Sequence, residues 1–205
     1  MNIDLDTTHL IAIAAALGWA SGLRLYAVLF FTGMAGLLGW VDLPAGLKLL
    51  QNPLMLGASG FMLFVEFFAD KIPGVDTLWD VVHTFVRIPA GAALAASVFG
   101  ADQAGWAAAA ALLGGSLAAA SHVAKATTRA AVNTSPEPFS NLGLSLLGDA
   151  AVPASLWLSW LHPWFFFAAL VLALVVMLGL VWVLAKFLRA LLRRFGIGAG
   201  AAHRA

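Results

Sequence analysis

The chain has 205 residues, of which 62% are apolar and only 10% carry a charge. A soluble domain averages about 45–50% apolar and about 25% charged residues. With a mean hydropathy of +0.93, the chain has too little polar surface to cover a soluble body, so lipid must solvate much of its exterior. The net charge of +1 leaves no electrostatic footprint for nucleic acid. Cysteine is absent, which excludes disulfides, thiolate metal sites and cysteine nucleophiles together.

The acidic start, MNIDLDTTH, lacks the basic region of a secretory signal, so the first apolar run reads as part of the mature protein. That run, His9 to Trp40, is 32 residues long. A membrane crossing takes roughly 20 residues, so it is too long for one upright helix and too short for two full spans. Ser21-Gly22 and the charge of Arg24 sit in its middle. One expectation is a broken or re-entrant element with half-helices on either side of Ser21-Gly22, its open backbone satisfied by protein or water. The other is a long tilted helix.

A loop from Asp42 to Pro53 leads to a span over about Leu54–Phe68, which Pro73-Gly74 terminates. Thr77 is a candidate N-cap for a helix over about Leu78–Phe99, with Pro89 inside it. The next element, about Ala104–Ala131, is rich in Ala and Gly and belongs in the bundle interior. Past the turn-rich Asn133–Pro138 come helices over about Asn141–Trp160 and Pro163–Arg194. Aromatic residues from Trp157 to Phe167 flank their junction as an interfacial belt, while Lys186, Arg189, Arg193 and Arg194 lie at the far end. The positive-inside rule then puts the C-terminus in the cytoplasm. The expected fold is an all-α polytopic transmembrane helix bundle of about five spans plus the broken or re-entrant N-terminal element. Residues 1–195 form one membrane domain, and 196–205 a disordered tail.

Ionisable residues inside spans are costly and mark functional interiors by default. Glu66 and Asp70 are four apart and share a helix face; Lys71 follows them. Asp80, His83 and Arg87 fall within about 60° of one another on the wheel, as do His122, Lys125 and Arg129. Asp149 adds a carboxylate to the fifth helix. These stripes pack most simply against one another, giving a core of four acids and four bases that can neutralise itself. A network that only pairs helices is the bland alternative.

The run Phe64-Val65-Glu66-Phe67-Phe68-Ala69-Asp70-Lys71-Ile72-Pro73-Gly74-Val75-Asp76-Thr77-Leu78-Trp79-Asp80, with Val82-His83-Thr84, resembles the signature of an uncharacterised bacterial integral-membrane family catalogued as a domain of unknown function. Ser21–Tyr26, His122–Ala126 and Asn133–Asn141 fit the same pattern, and the resemblance covers about residues 10–190. It implies a membrane protein and no particular activity. The chain departs from the pattern at Arg24, where relatives have a polar uncharged residue, and at Gly148, where they have an acidic one.

Three functions remain open. The first is a small transporter or channel for an ion or small, possibly anionic, solute. Its pathway would run through Glu66, Asp70, Lys71, Asp80, His83, Arg87, His122, Lys125, Arg129 and Asp149, in the bacterial inner membrane. The second is a membrane metal site or enzyme using Glu66, Asp70, Asp80 and His83. The third is a structural or partner-binding protein. No phosphate loop, His-Glu-x-x-His or Gly-x-Ser-x-Gly occurs, so no cofactor is specified and an enzyme is the less favoured class. A small, Gly/Ala-rich bundle is compatible with homo-oligomers; the only other partners implied are the bilayer and the solute.

Overall fold

The computed structural model describes residues 5–72, 74–133 and 139–194, and every regular element among them is helical. In order these are α1 (Thr7–Leu37), a 3-10 helix (Ala45–Gln51), α2 (Pro53–Ala69), α3 (Val75–Ala96), a 3-10 turn (Ala101–Gln103), α4 (Ala104–Val132), α5 (Phe139–Leu161) and α6 (Pro163–Arg194). Four stretches are long and apolar enough to cross a membrane: α1, α4, α5 and Pro163–Phe187 of α6. Ala45–Gln51 and α2, bent by 70° at their junction, bring the number to five if the bent pair is one span. The chain is an all-α polytopic bundle. Its tail past residue 194 and the loop 134–138 lie outside the described residues.

The first element is indeed broken, but at Arg24 rather than at Ser21-Gly22. Arg24 has φ −150° and ψ 89°, extended values inside an otherwise helical run. The contacts on either side show that the chain doubles back there. Before the break, Gly18 packs on Gly114 and Gly22 on Ala118, so this half of α1 runs parallel to α4. Gly114 lies beside Ala95 and Gly91 beside Ala118, so α3 runs antiparallel to both. Gly46 meets Ser97 at the end of α3, whereas Glu66 bonds Arg87 deeper in it; α2 and α3 therefore form an antiparallel hairpin. After the break, Phe30 packs on Gly60 and Gly33 on Leu56, which sets this half antiparallel to α2. It must then oppose the first half. A straight α1 would carry Gly33 about 22 Å beyond Gly18, away from the end of the bundle where it is found.

The closest packing lies where α1, α3 and α4 meet. A side chain at Gly114 would come 2.8 Å from the Gly91 carbonyl, and one at Gly91 would come 2.7 Å from the Ala118 Cβ. Backbones approach this closely only where small residues line both faces. Ile13, Leu17, Leu47, Leu94 and Val98 complete this apolar half. At the junction of α5 and α6, Trp157, Trp164 and Phe165 are exposed, as an interfacial belt requires. Trp160 and Phe166 are not; both are buried in the core.

Helix α3 starts at Val75, two residues before the anticipated cap. Gly74 occupies the N-cap position, and Thr77 instead donates to Asp76 through both its amide and its hydroxyl. The earlier start adds Asp76 to the Asp80–His83–Arg87 stripe, since it lies four residues before Asp80.

Candidate functional site

Asp70 is the hub of the opposite half. It ends α2 and is wholly buried. Its carboxylate meets three cations: Arg24 at 3.1 Å, Lys125 at 3.0 Å and Arg129 at 3.2 Å. Helix ends explain part of this convergence, because a terminal carbonyl has no intrahelical partner. The Asp70 carbonyl accepts from Arg129 at 2.9 Å. The break in α1 similarly leaves the Leu23 carbonyl to accept from Lys125 at 3.0 Å.

Two branches leave this hub. Toward α5, Arg24 bonds Asp149 at 3.0 Å and the Ser145 hydroxyl at 2.9 Å, and Lys71 closes on Asp149 at 3.2 Å. Toward the loop end of α3, Asp76 accepts from Arg129 at 3.3 Å and from the Asn133 amide at 3.1 Å. Deeper in, Lys125 reaches Asp80 at 3.2 Å, and Arg87 joins Asp80 (2.7 Å) to Glu66 (2.6 Å). From Asp76 to Arg87 the network extends about 16 Å along α3.

The histidines separate into two roles. Arg87 can only donate, so the His122 Nδ1 at 3.3 Å accepts; Nε2 then donates to the Thr84 hydroxyl at 2.7 Å, which passes its own hydrogen to the Asp80 carbonyl. His83 stands outside the network. It stacks on Trp79, its Nδ1 donates to the Trp79 carbonyl, and its Nε2 lies 3.2 Å from the Tyr26 hydroxyl.

A cavity of about 320 Å³ abuts the hub, between α1, α4, α5 and α6. Arg24, Asp70, Lys125 and Arg129 form its polar end, while α5 and α6 supply aliphatic walls. Arg24 is 1% exposed, and its Nη1 has no hydrogen-bond partner among the described residues. A Cβ placed on Gly148 would meet only Arg24 Nε, at 3.6 Å.

Comparison with protein families places residues 11–185 in a domain of unknown function, DUF4126. The chain belongs to the DUF4126 family. No curated protein and no solved structure matches it. It is thus a family member whose apolar helices make it a membrane protein and whose activity must be argued from its own residues.

Of the ten site residues anticipated from sequence, nine meet in this network and His83 does not. The geometry does not suit a metal centre at Glu66, Asp70, Asp80 and His83. Each of the three carboxylates faces a cation, His83 turns to Tyr26, and among the described residues no three His, Asp or Glu side chains are placed to hold a metal ion. Two members were missed, Arg24 and Asp76. With them the charges are five acids (Glu66, Asp70, Asp76, Asp80, Asp149) against five bases (Arg24, Lys71, Arg87, Lys125, Arg129).

Proposed function

We propose that this DUF4126 chain carries a small anionic solute across the bacterial inner membrane, with its C-terminus in the cytoplasm. One observation carries the reading: three cations and a single carboxylate line one end of a cavity, and one of those cations, Arg24, keeps a buried nitrogen without a hydrogen-bond partner among the described residues. Buried ion pairs contribute little net stability, so fastening helices is a weak reason to assemble ten charges. A carrier suits the architecture better than a channel, because the network ends about halfway and beyond it α1, α3 and α4 touch through backbone and Cβ atoms. Binding sites at interrupted helices near the midplane are a common transporter arrangement, and the break at Arg24 supplies one here.

The competing reading, a structural network, has the five-on-five charge balance in its favour. Flux separates the two. Proteoliposomes holding the protein should take up a labelled anion from a panel of phosphate, chloride and small carboxylates faster than empty vesicles. Lys125→Ala and Asp80→Asn should each reduce uptake at least tenfold. Unchanged uptake in both variants would overturn the carrier reading, and no uptake of any panel member would rule out a water-borne anion as its solute.

A further inference from the structure

The walls of the cavity carry more information than its charged end. Away from the hub, α5 and α6 supply Leu144, Leu147, Ala151, Val176, Met177 and Leu180, whose only heteroatom is the Met thioether, while Trp19 and Thr128 add an indole nitrogen and a hydroxyl on the α1 and α4 side. A water-borne anion would leave this surface wet or empty. The rim is also informative: Leu147 is 66% exposed, Val176 58% and Leu180 39%. On a helix as apolar and peripheral as α6, that exposed side faces hydrocarbon. The cavity therefore has cations at its inner end, aliphatic walls, and a rim at lipid.

We infer that its ligand is an anionic phospholipid that enters sideways from the bilayer, with the headgroup at Arg24 and Lys125 and one acyl chain along α5 and α6. This inference rests on the anion-carrier reading and names its substrate class. The forked guanidinium of Arg24 suits a phosphate oxygen better than an ammonium would, and its free Nη1 is the donor available without breaking an existing pair. The Ser145 hydroxyl, which accepts from Arg24 at 2.9 Å, stands beside it. At about 320 Å³ the space is at the small end for ligand sites. It takes a headgroup and the start of one chain, and the remainder stays in the membrane. A zwitterionic headgroup would bring an ammonium against three cations, so the site should discriminate by charge.

Native mass spectrometry of the detergent-purified, delipidated protein tests this. Phosphatidylglycerol, phosphatidylcholine and inorganic phosphate are the three probes. One phosphatidylglycerol per chain should be retained at least tenfold more tightly than phosphatidylcholine, with no measurable binding of phosphate alone. Gly148→Glu places a carboxylate against Arg24 and should abolish the preference. Val176→Trp, at an exposed position where folding is not at stake, should block the rim and weaken phosphatidylglycerol at least fivefold. Equal retention of the two lipids would reduce the effect to annular lipid and overturn the inference. Phosphate binding that Val176→Trp leaves intact would also overturn it, while preserving a water-borne anion as substrate. Binding of neither anion would remove both readings.

Discussion

The two halves of the α1–α3–α4 core are built on opposite principles. Around Gly18, Gly91 and Gly114 the helices touch through backbone atoms, with no room for a methyl group. One helical turn further, beyond Arg87, the same helices are joined by long charged side chains: Lys125 and Arg129 of α4 reach Asp80 and Asp76 of α3, and Lys125 also reaches the Leu23 carbonyl of α1. The first half draws on dispersion and exclusion of lipid, and its cost for a wrong residue is steric. The second depends on charge pairing, and its cost for a wrong residue is an orphaned ion. A molecule that binds or moves something needs a region able to rearrange, and only the charged half has interchangeable partners: Asp70 alone has three.

The largest effect should follow from breaking the charged half at its deepest point. Arg87→Gln leaves Glu66 and Asp80 without their shared guanidinium, and both are buried. Removing one partner of a buried pair costs about 3–5 kcal/mol. Thermal unfolding in detergent should show a lowered midpoint, and Glu66→Gln added to Arg87→Gln should recover part of it. A double variant no more stable than Arg87→Gln alone would mean that the loss comes from packing rather than from orphaned charge.

A smaller, steric effect should mark the other half. At Gly114 a methyl group would meet the Gly91 carbonyl and the Ala95 Cβ, and overpacking of this kind costs about 1–3 kcal/mol. Gly148→Ala is the matched control beside the cavity, where the new methyl meets only Arg24 Nε at ordinary contact distance. It should change stability by no more than about 0.5 kcal/mol. Equal losses at Gly114 and Gly148 would erase the distinction between the halves.

The charged half was more legible in sequence than the packed half, for a physical reason. Spacings of three, four and seven survive any tilt of the helix that carries them, so the stripes on α3 and α4 could be read without knowing their partners. Asp76 belongs to the first stripe by the same arithmetic, but Thr77 is a favoured N-cap residue by type, and a helix begun there leaves Asp76 outside it. Arg24 carried a weaker signal. It sits at a break, where wheel angles have no meaning, and only the tertiary fold shows that the break aims it at Asp70 and Asp149. The doubling back of α1 was open in the sequence for the same reason, since an apolar run of that length fits either a tilted helix or a folded one. His83 shared a face with Asp80 and Arg87 yet went elsewhere, because Trp79 and Tyr26 offered its ring a stack and a hydrogen bond.

The smallest effect belongs at the rim of the packed half, where α1 begins. Asp6 caps that helix by accepting from the His9 amide at 2.9 Å, and its carboxylate also meets the His9 ring at 2.8 Å. The His9 amide bond, followed by the ring contact, holds the Asp6 carboxyl below its usual range, with slight desolvation opposing. Because the folded value is the lower one, the cap contributes fully at neutral pH. Its contribution fades as pH falls through that lowered value, beneath the usual aspartate range of about 3.9. Hydrogen exchange at the His9 amide reads this locally: protection should be highest near neutrality and fall in acid after correction for intrinsic rates. Asp6→Ala should remove the protection at neutral pH and flatten its pH dependence. The unfolding midpoint should stay where it was, since the cap is at the exposed mouth of a half held by buried contacts. A midpoint that moved with Asp6→Ala would mean that entry into α1 governs the packing beneath it, and the two halves could not then be treated as independently built.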